Sequence, residues 1–231
     1  MPKLKRVLIS TIPPKNIVRL AKGGEKLLTQ EYDAELYHRI LRSSRSDISS
    51  DDFIEQIYEM LVAFKMNSRG AKLAELPDFK KAIKKHADTI QSLAKVKLEK
   101  VKATDDAFTD TIGTLFCNLD GLTQTRSTLV TFSKTMHFLL PDLFMPIDRK
   151  FTLQFYYSDL PFKNKCAMQN VINTREKQKK CLSFISEDFR RYAREHCEVL
   201  SEQIKSTSPW NRNIPKVIDN IIIAYVSEKM G

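Results

Sequence analysis

The sequence has 231 residues, close to the upper limit for one hydrophobic core. Hydrophobic residues make up 42% and run along its whole length, which excludes global disorder. Six glycines are too few for a turn-rich sandwich or barrel, and the apolar residues recur in threes and fours. The expected class is therefore all-α: one compact multi-helix domain over 1–231, or two packed lobes, 30–145 and 1–29 with 146–231. The formal net charge of +10 gathers in 3–26, 80–102 and 163–194, as expected of a polyanionic partner or of solvated helix faces.

The apolar stretches at 139–147 and 217–226 are interrupted by Pro141, Asp142, Pro146, Asp219 and Asn220, so no membrane span is expected. The start, 1–10, is basic and only briefly apolar, unlike a signal peptide, which makes the cytoplasm the expected compartment. Cys117, Cys166, Cys181 and Cys197 stand far apart and read as reduced thiols. His38, His86, His137 and His196 lack zinc-ligand spacing, and no phosphate loop, dinucleotide fingerprint or G-x-S-x-G elbow is present. Neither a metal nor a cofactor is expected.

In chain order, 7–12 is a short alternating piece, Pro13 and Pro14 open a helix, and Gly23-Gly24 is expected to break or bend it. A helix over 31–41 and a serine-rich loop follow. Ser50 or Asp51 then caps a helix whose apolar face is Phe53, Ile54, Ile57, Tyr58, Leu61 and Val62. Pro77 starts a long basic helix reaching Val101, and Asp105 or Asp106 begins another through Phe116. A strongly apolar helix from Ser127 stops at Pro141, and Asp148 stands where it can cap a helix beginning at Arg149. After a polar stretch at 163–176, one long helix carries Phe184 to Ile204, and the last begins just after Pro215.

The stretch 121–149 holds a glycine turn, Leu119-Asp120-Gly121-Leu122-Thr123, a helix containing Lys134 and His137, then Phe144-Met145-Pro146-Ile147-Asp148. This layout resembles the helix-hairpin-helix DNA glycosylase superfamily over about thirty residues of the chain. The resemblance implies an all-helical fold, a hairpin whose backbone N–H groups bind a DNA phosphate, and an aspartate, Asp148, that supports base excision. It also implies a DNA partner, and in bifunctional members a catalytic lysine, for which Lys134 is the nearest candidate. The turn has one glycine where the family has two, and the interval from Gly121 to Asp148 is longer. The family's lysine would fall near Val130.

The residues also have structural readings. Asp148 can serve as a helix N-cap, Lys134 as an amine reaching past an apolar helix, and His137 as a packed helix residue. Gly121, Thr123, Thr125, Arg126 and Arg149 are the candidate nucleic-acid contacts around the hairpin. Arg69 and Lys72 flank Gly70 and form a second candidate phosphate contact, or an ordinary basic loop after a helix. Trp210 can stack on a base or anchor its loop to the core. Two function classes remain, a nucleic-acid-binding protein related to DNA repair, with or without excision activity, and a non-enzymatic helical scaffold.

Overall fold

Eleven α-helices and no strand make up the described residues of the computed structural model, which are 7–31, 34–42, 48–67, 72–125, 128–157, 172–204, 208 and 210–230. Local sequence chemistry starts several helices where spacing predicts. Pro14 opens a 3-10 turn that runs into α1 (Ile17–Glu31), and α2 (Ala34–Arg42) follows. The Ser50 hydroxyl accepts from Phe53 N–H to start α3 (Asp51–Ala63). The Asp105 carboxylate accepts from Phe108 N–H at 2.9 Å to start α6 (Asp106–Asn118). Asn213 does the same for Lys216 N–H at 2.9 Å, beginning α11 (Ile214–Met230) one residue before Pro215.

Three expectations are corrected. The expected break at Gly23-Gly24 is absent, and α1 runs straight through both glycines. A Cβ on Gly24 would stand 2.0 Å from Asn220 O on α11, so the missing side chain admits a neighbouring backbone. The long basic helix is two helices, α4 (Leu76–Lys85) and α5 (Ala87–Leu93), parted at His86, whose ψ of 15° leaves the helical range and whose ring reaches Asn118 O at 3.0 Å. The long late helix likewise divides at His196 into α9 (Arg175–Glu195) and α10 (Cys197–Ile204). There the His196 ring packs edge-on against Tyr192, with ring centroids 4.5 Å apart. Tertiary contacts thus override two otherwise continuous apolar faces.

The centre of the molecule is α7 (Thr128–Leu139), on which every side chain from Leu129 to Leu139 is buried except Lys134. A helix covered on all faces is a core element, and one of this kind cannot carry an idle charge without a partner or an opening beside it. α1 packs most extensively on α11, α9 lies against α6 and α7, and short α8 (Thr152–Tyr156) sits against α11. Trp210 is fully buried, its Nε1–H donating to Thr29 Oγ1 at 3.2 Å and its ring 5.0 Å from that of Tyr37. It anchors its loop and does not stack on an external base. Among the described residues, no helix is long and apolar enough to cross a membrane.

Buried Asp188 on α9 joins the two chain regions that flank the site. Its Oδ2 accepts from Ile9 N–H at 2.8 Å and from the Tyr156 hydroxyl at 3.0 Å, which ties the 3-10 turn Ile9–Thr11 and α8 to α9. Burial nevertheless pushes the Asp188 carboxyl above its ordinary range. The folded state therefore holds a proton that the unfolded chain releases, and stability falls as pH rises from the ordinary aspartate value of about 3.9 through the raised one. In urea unfolding at a series of pH values, wild type is expected to lose stability across that interval relative to Asp188→Asn. Parallel curves contradict this.

Candidate functional site

The turn between α6 and α7 is held by backbone pairing to the segment after α3. Ala74 N–H donates to Leu122 O at 3.1 Å and Gln124 N–H to Lys72 O at 2.8 Å, forming an isolated antiparallel bridge between Leu73 and Thr123. Gly121 has φ of +96°, a conformation that a side chain would strain, and it lies against Ala82 and Asp78 of α4. The Thr123 hydroxyl donates to Lys72 O and also accepts from Thr125 N–H at 3.2 Å. The exposed Lys72 side chain is thus tethered beside the turn through its backbone. Arg69 and Arg126 lie outside the described residues.

A cavity of about 380 Å³ opens along this turn, lined by Gly121, Thr123, Thr125, Thr128, Arg175 and Gln178 among others. Part of its polar inventory is already committed. Gln178 Oε1 accepts from Thr128 Oγ1 at 2.6 Å and from Leu129 N–H at 2.9 Å, so this first-turn N–H of α7 is closed to a phosphate. Arg175 donates to Phe116 O and Cys117 O and pairs with Asp120 at 3.0 Å, closing the end of α6. The threonine hydroxyls are committed as well, Thr123 donating to Lys72 O, Thr128 to Gln178 and Thr125 lying 3.1 Å from Thr123 Oγ1.

A second, narrower cleft of about 60 Å³ contains both catalytic candidates. Two side chains one turn apart on α7 create it by holding the extended segment 144–147 against the helix. Ser133 Oγ accepts from Ile147 N–H at 2.9 Å, and His137 Nδ1 lies 2.7 Å from Phe144 O. A carbonyl only accepts, so Nδ1 carries the proton, and Nε2 takes the Tyr37 O–H at 3.0 Å. His137 is therefore a buried positioning residue, in line with its packed reading.

This fastening delivers Asp148 to the cleft beside Lys134, with Lys216, Asp219, Tyr37 and Phe151 completing the wall. Asp148 also caps its own turn, Oδ1 accepting from Phe151 N–H at 2.6 Å while its N–H donates to Thr152 Oγ1 at 3.2 Å. Capping and cleft-lining thus coexist in one carboxylate. The expected helix start at Arg149 is displaced, since the turn precedes α8 at Thr152. Lys134 is half-buried, and its Nζ lies 5.4 Å from the Phe64 ring centroid. Arg149 is half-buried next to Asp148 but does not line the cleft. Gly121 and Asp148 line different cavities.

Two residues of this cleft were not singled out from the sequence. Lys216 and Asp219 sit three apart on α11, buried, with Nζ 2.5 Å from Oδ2. Burial holds the Asp219 carboxyl above its ordinary range, with Asp148 adding to the rise and Lys216 and Lys134 opposing it. The cleft is therefore walled by two ammonium and two carboxylate groups close enough to influence one another. The available signal was an i, i+3 charged pair inside the apolar pattern Val217, Ile218, Ile221, Ile222. Among the described residues, no group of three or more His, Cys, Asp or Glu side chains is arranged to hold a metal ion. No protein-family model, curated protein or solved structure matches the chain.

Proposed function

We propose that the protein is a cytoplasmic nucleic-acid-binding protein, DNA rather than RNA its partner, whose cleft at Asp148 acts on a nucleotide drawn from the duplex in base-excision repair. The observation that carries this reading is that Lys134, the one exception to the burial of α7 from Leu129 to Leu139, and Asp148 line the same cleft. A scaffold that meets its partner through surface lysines has no use for such a pair. The net charge of +10 and the exposed Lys72 beside the turn supply contacts for a phosphate backbone.

In this reading Asp148 stabilises the positive charge that develops on the sugar as the N-glycosidic bond breaks, water adds its oxygen to the anomeric carbon, and the proton it gives up passes to the departing base. The Phe64 ring favours the charged ammonium of Lys134, which suits a cation that steadies the leaving base better than a Schiff-base amine. A base must open the cleft to enter, since small-molecule pockets start at about 300 Å³. The binding half of the proposal is tested by titrating duplex DNA at several salt concentrations. Wild type is expected to bind with a steep negative salt dependence, and Lys72→Gln to flatten the log–log slope by about 0.9. Absence of binding at low salt overturns the reading.

A further inference from the structure

The segment 80–102 carries eight lysines against Asp88 and Glu99, a formal charge of +6 out of +10 for the whole chain. The fold lays this segment along α7. At one end Ala82 of α4 lies against Gly121 in the turn before α7. At the other, Leu98 N–H donates at 2.9 Å to Asp142 O, just past the end of α7. With twelve residues in α7, the run covers about 18 Å. We infer that, with DNA the partner as proposed above, the lysines of this run form the track for the duplex backbone, separate from the cleft at Asp148.

Apolar spacing sorts the side chains of the run. Phe79, Ile83, Ile90, Leu93 and Leu98 are buried and hold it to the core. This turns Lys81, Lys85, Lys95, Lys97, Lys100 and Lys102 outward, and all six are exposed. None of the six is ion-paired among the described residues, whereas Lys80 and Lys84 meet Asp51 and Glu55 of α3. A row of like charges repels itself, and a polyanion that sheds its counterions onto such a row relieves the repulsion.

The other exposed side chains narrow the polyanion to a duplex. The large hydrophobic side chains exposed among the described residues are Val18, Leu27 and Val62, and none belongs to this run. An anionic membrane is held through apolar side chains beside the basic ones, a protein interface through aromatic anchors, and a single strand through rings on which its bases stack. Duplex phosphates need only lysines and polar side chains such as the exposed Thr89, Gln91 and Ser92 that stand between them. At 3.4 Å per base pair the track spans about five base pairs. Contacts from lysine to phosphate carry no base preference, so the duplex is held whatever its sequence.

The test is titration of a duplex of arbitrary sequence at several salt concentrations against three full-length proteins. These are wild type, a track variant carrying Lys81→Gln, Lys97→Gln and Lys102→Gln, and a control carrying Lys15→Gln, Lys22→Gln and Lys26→Gln. The control loses the same charge from exposed lysines of α1 and the turn before it. The track variant is expected to flatten the log–log slope by about 0.9 for each lysine, and the control to keep the wild-type slope. A single strand of the same length is expected to bind wild type more weakly than the duplex, and tighter binding of the strand overturns the duplex assignment. Equal slopes in wild type and track variant, or equal flattening in track variant and control, overturn the track and leave the DNA reading standing. Equal slopes with loss of the track variant alone from phosphatidylserine vesicles give the surface to a membrane instead. A wild type that binds no duplex at low salt overturns both the track and the DNA reading.

Discussion

Gly24→Ala is expected to destabilise the protein by more than about 3 kcal/mol, although the same change inside an exposed helix stabilises by about 1 kcal/mol. The added Cβ would lie 2.0 Å from Asn220 O and 2.6 Å from the carbonyl carbon, both backbone atoms of α11. Backbone inside a helix cannot swing aside as a flexible side chain does, so α1 must lift from its main packing partner. The neighbouring glycine is a milder case, because a Cβ on Gly23 stands 3.3 Å from Ala224 Cβ. Denaturant midpoints should therefore rank wild type above Gly23→Ala and Gly23→Ala well above Gly24→Ala. A Gly24→Ala protein as stable as wild type contradicts the close packing of α1 on α11.

The second large effect concerns the buried pair in the cleft. Asp219→Ala leaves the buried Lys216 ammonium without its partner and is expected to cost about 3–5 kcal/mol. Removing both charges together, as Lys216→Met with Asp219→Leu, should restore most of that loss, because an apolar pair of similar volume escapes the desolvation penalty. A double variant that folds well yet loses the activity proposed for the cleft would identify the pair as a functional feature. Asp219→Ala unfolding within about 1 kcal/mol of wild type contradicts the ion pair's burial.

The difference between what was legible and what was not follows the range of the interactions. Ser50 and Asp105 are readable as caps because the bond runs three residues along the chain, to Phe53 and Phe108. The all-helical class is readable because apolar periodicity is repeated in nearly every segment. Gly24 was misread as a break because its reason is Asn220, on the last helix of the fold. His86 and His196 were invisible as breaks for the same cause, their backbone angles answering to neighbours in space and not to propensity.

At the site, Asp148 was legible both as a cap and as a candidate for chemistry. That Lys134 shares its cleft depends on Ser133 and His137 folding 144–147 back onto α7, which no local pattern announces. Asp219 looked only like an interruption in an apolar run until α11 brought it and Lys216 to the same wall.

The measurement that bears most directly on the proposed function is fluorescence anisotropy of the full chain with duplex DNA, intact or carrying one abasic-site analogue, at two salt concentrations. The cleft reading predicts tighter binding to the lesion duplex at both salts, with the preference reduced in Asp148→Asn while the salt dependence common to both duplexes is retained. Equal and steeply salt-dependent binding to the two duplexes, unchanged in Asp148→Asn, would contradict it and leave phosphate contact alone.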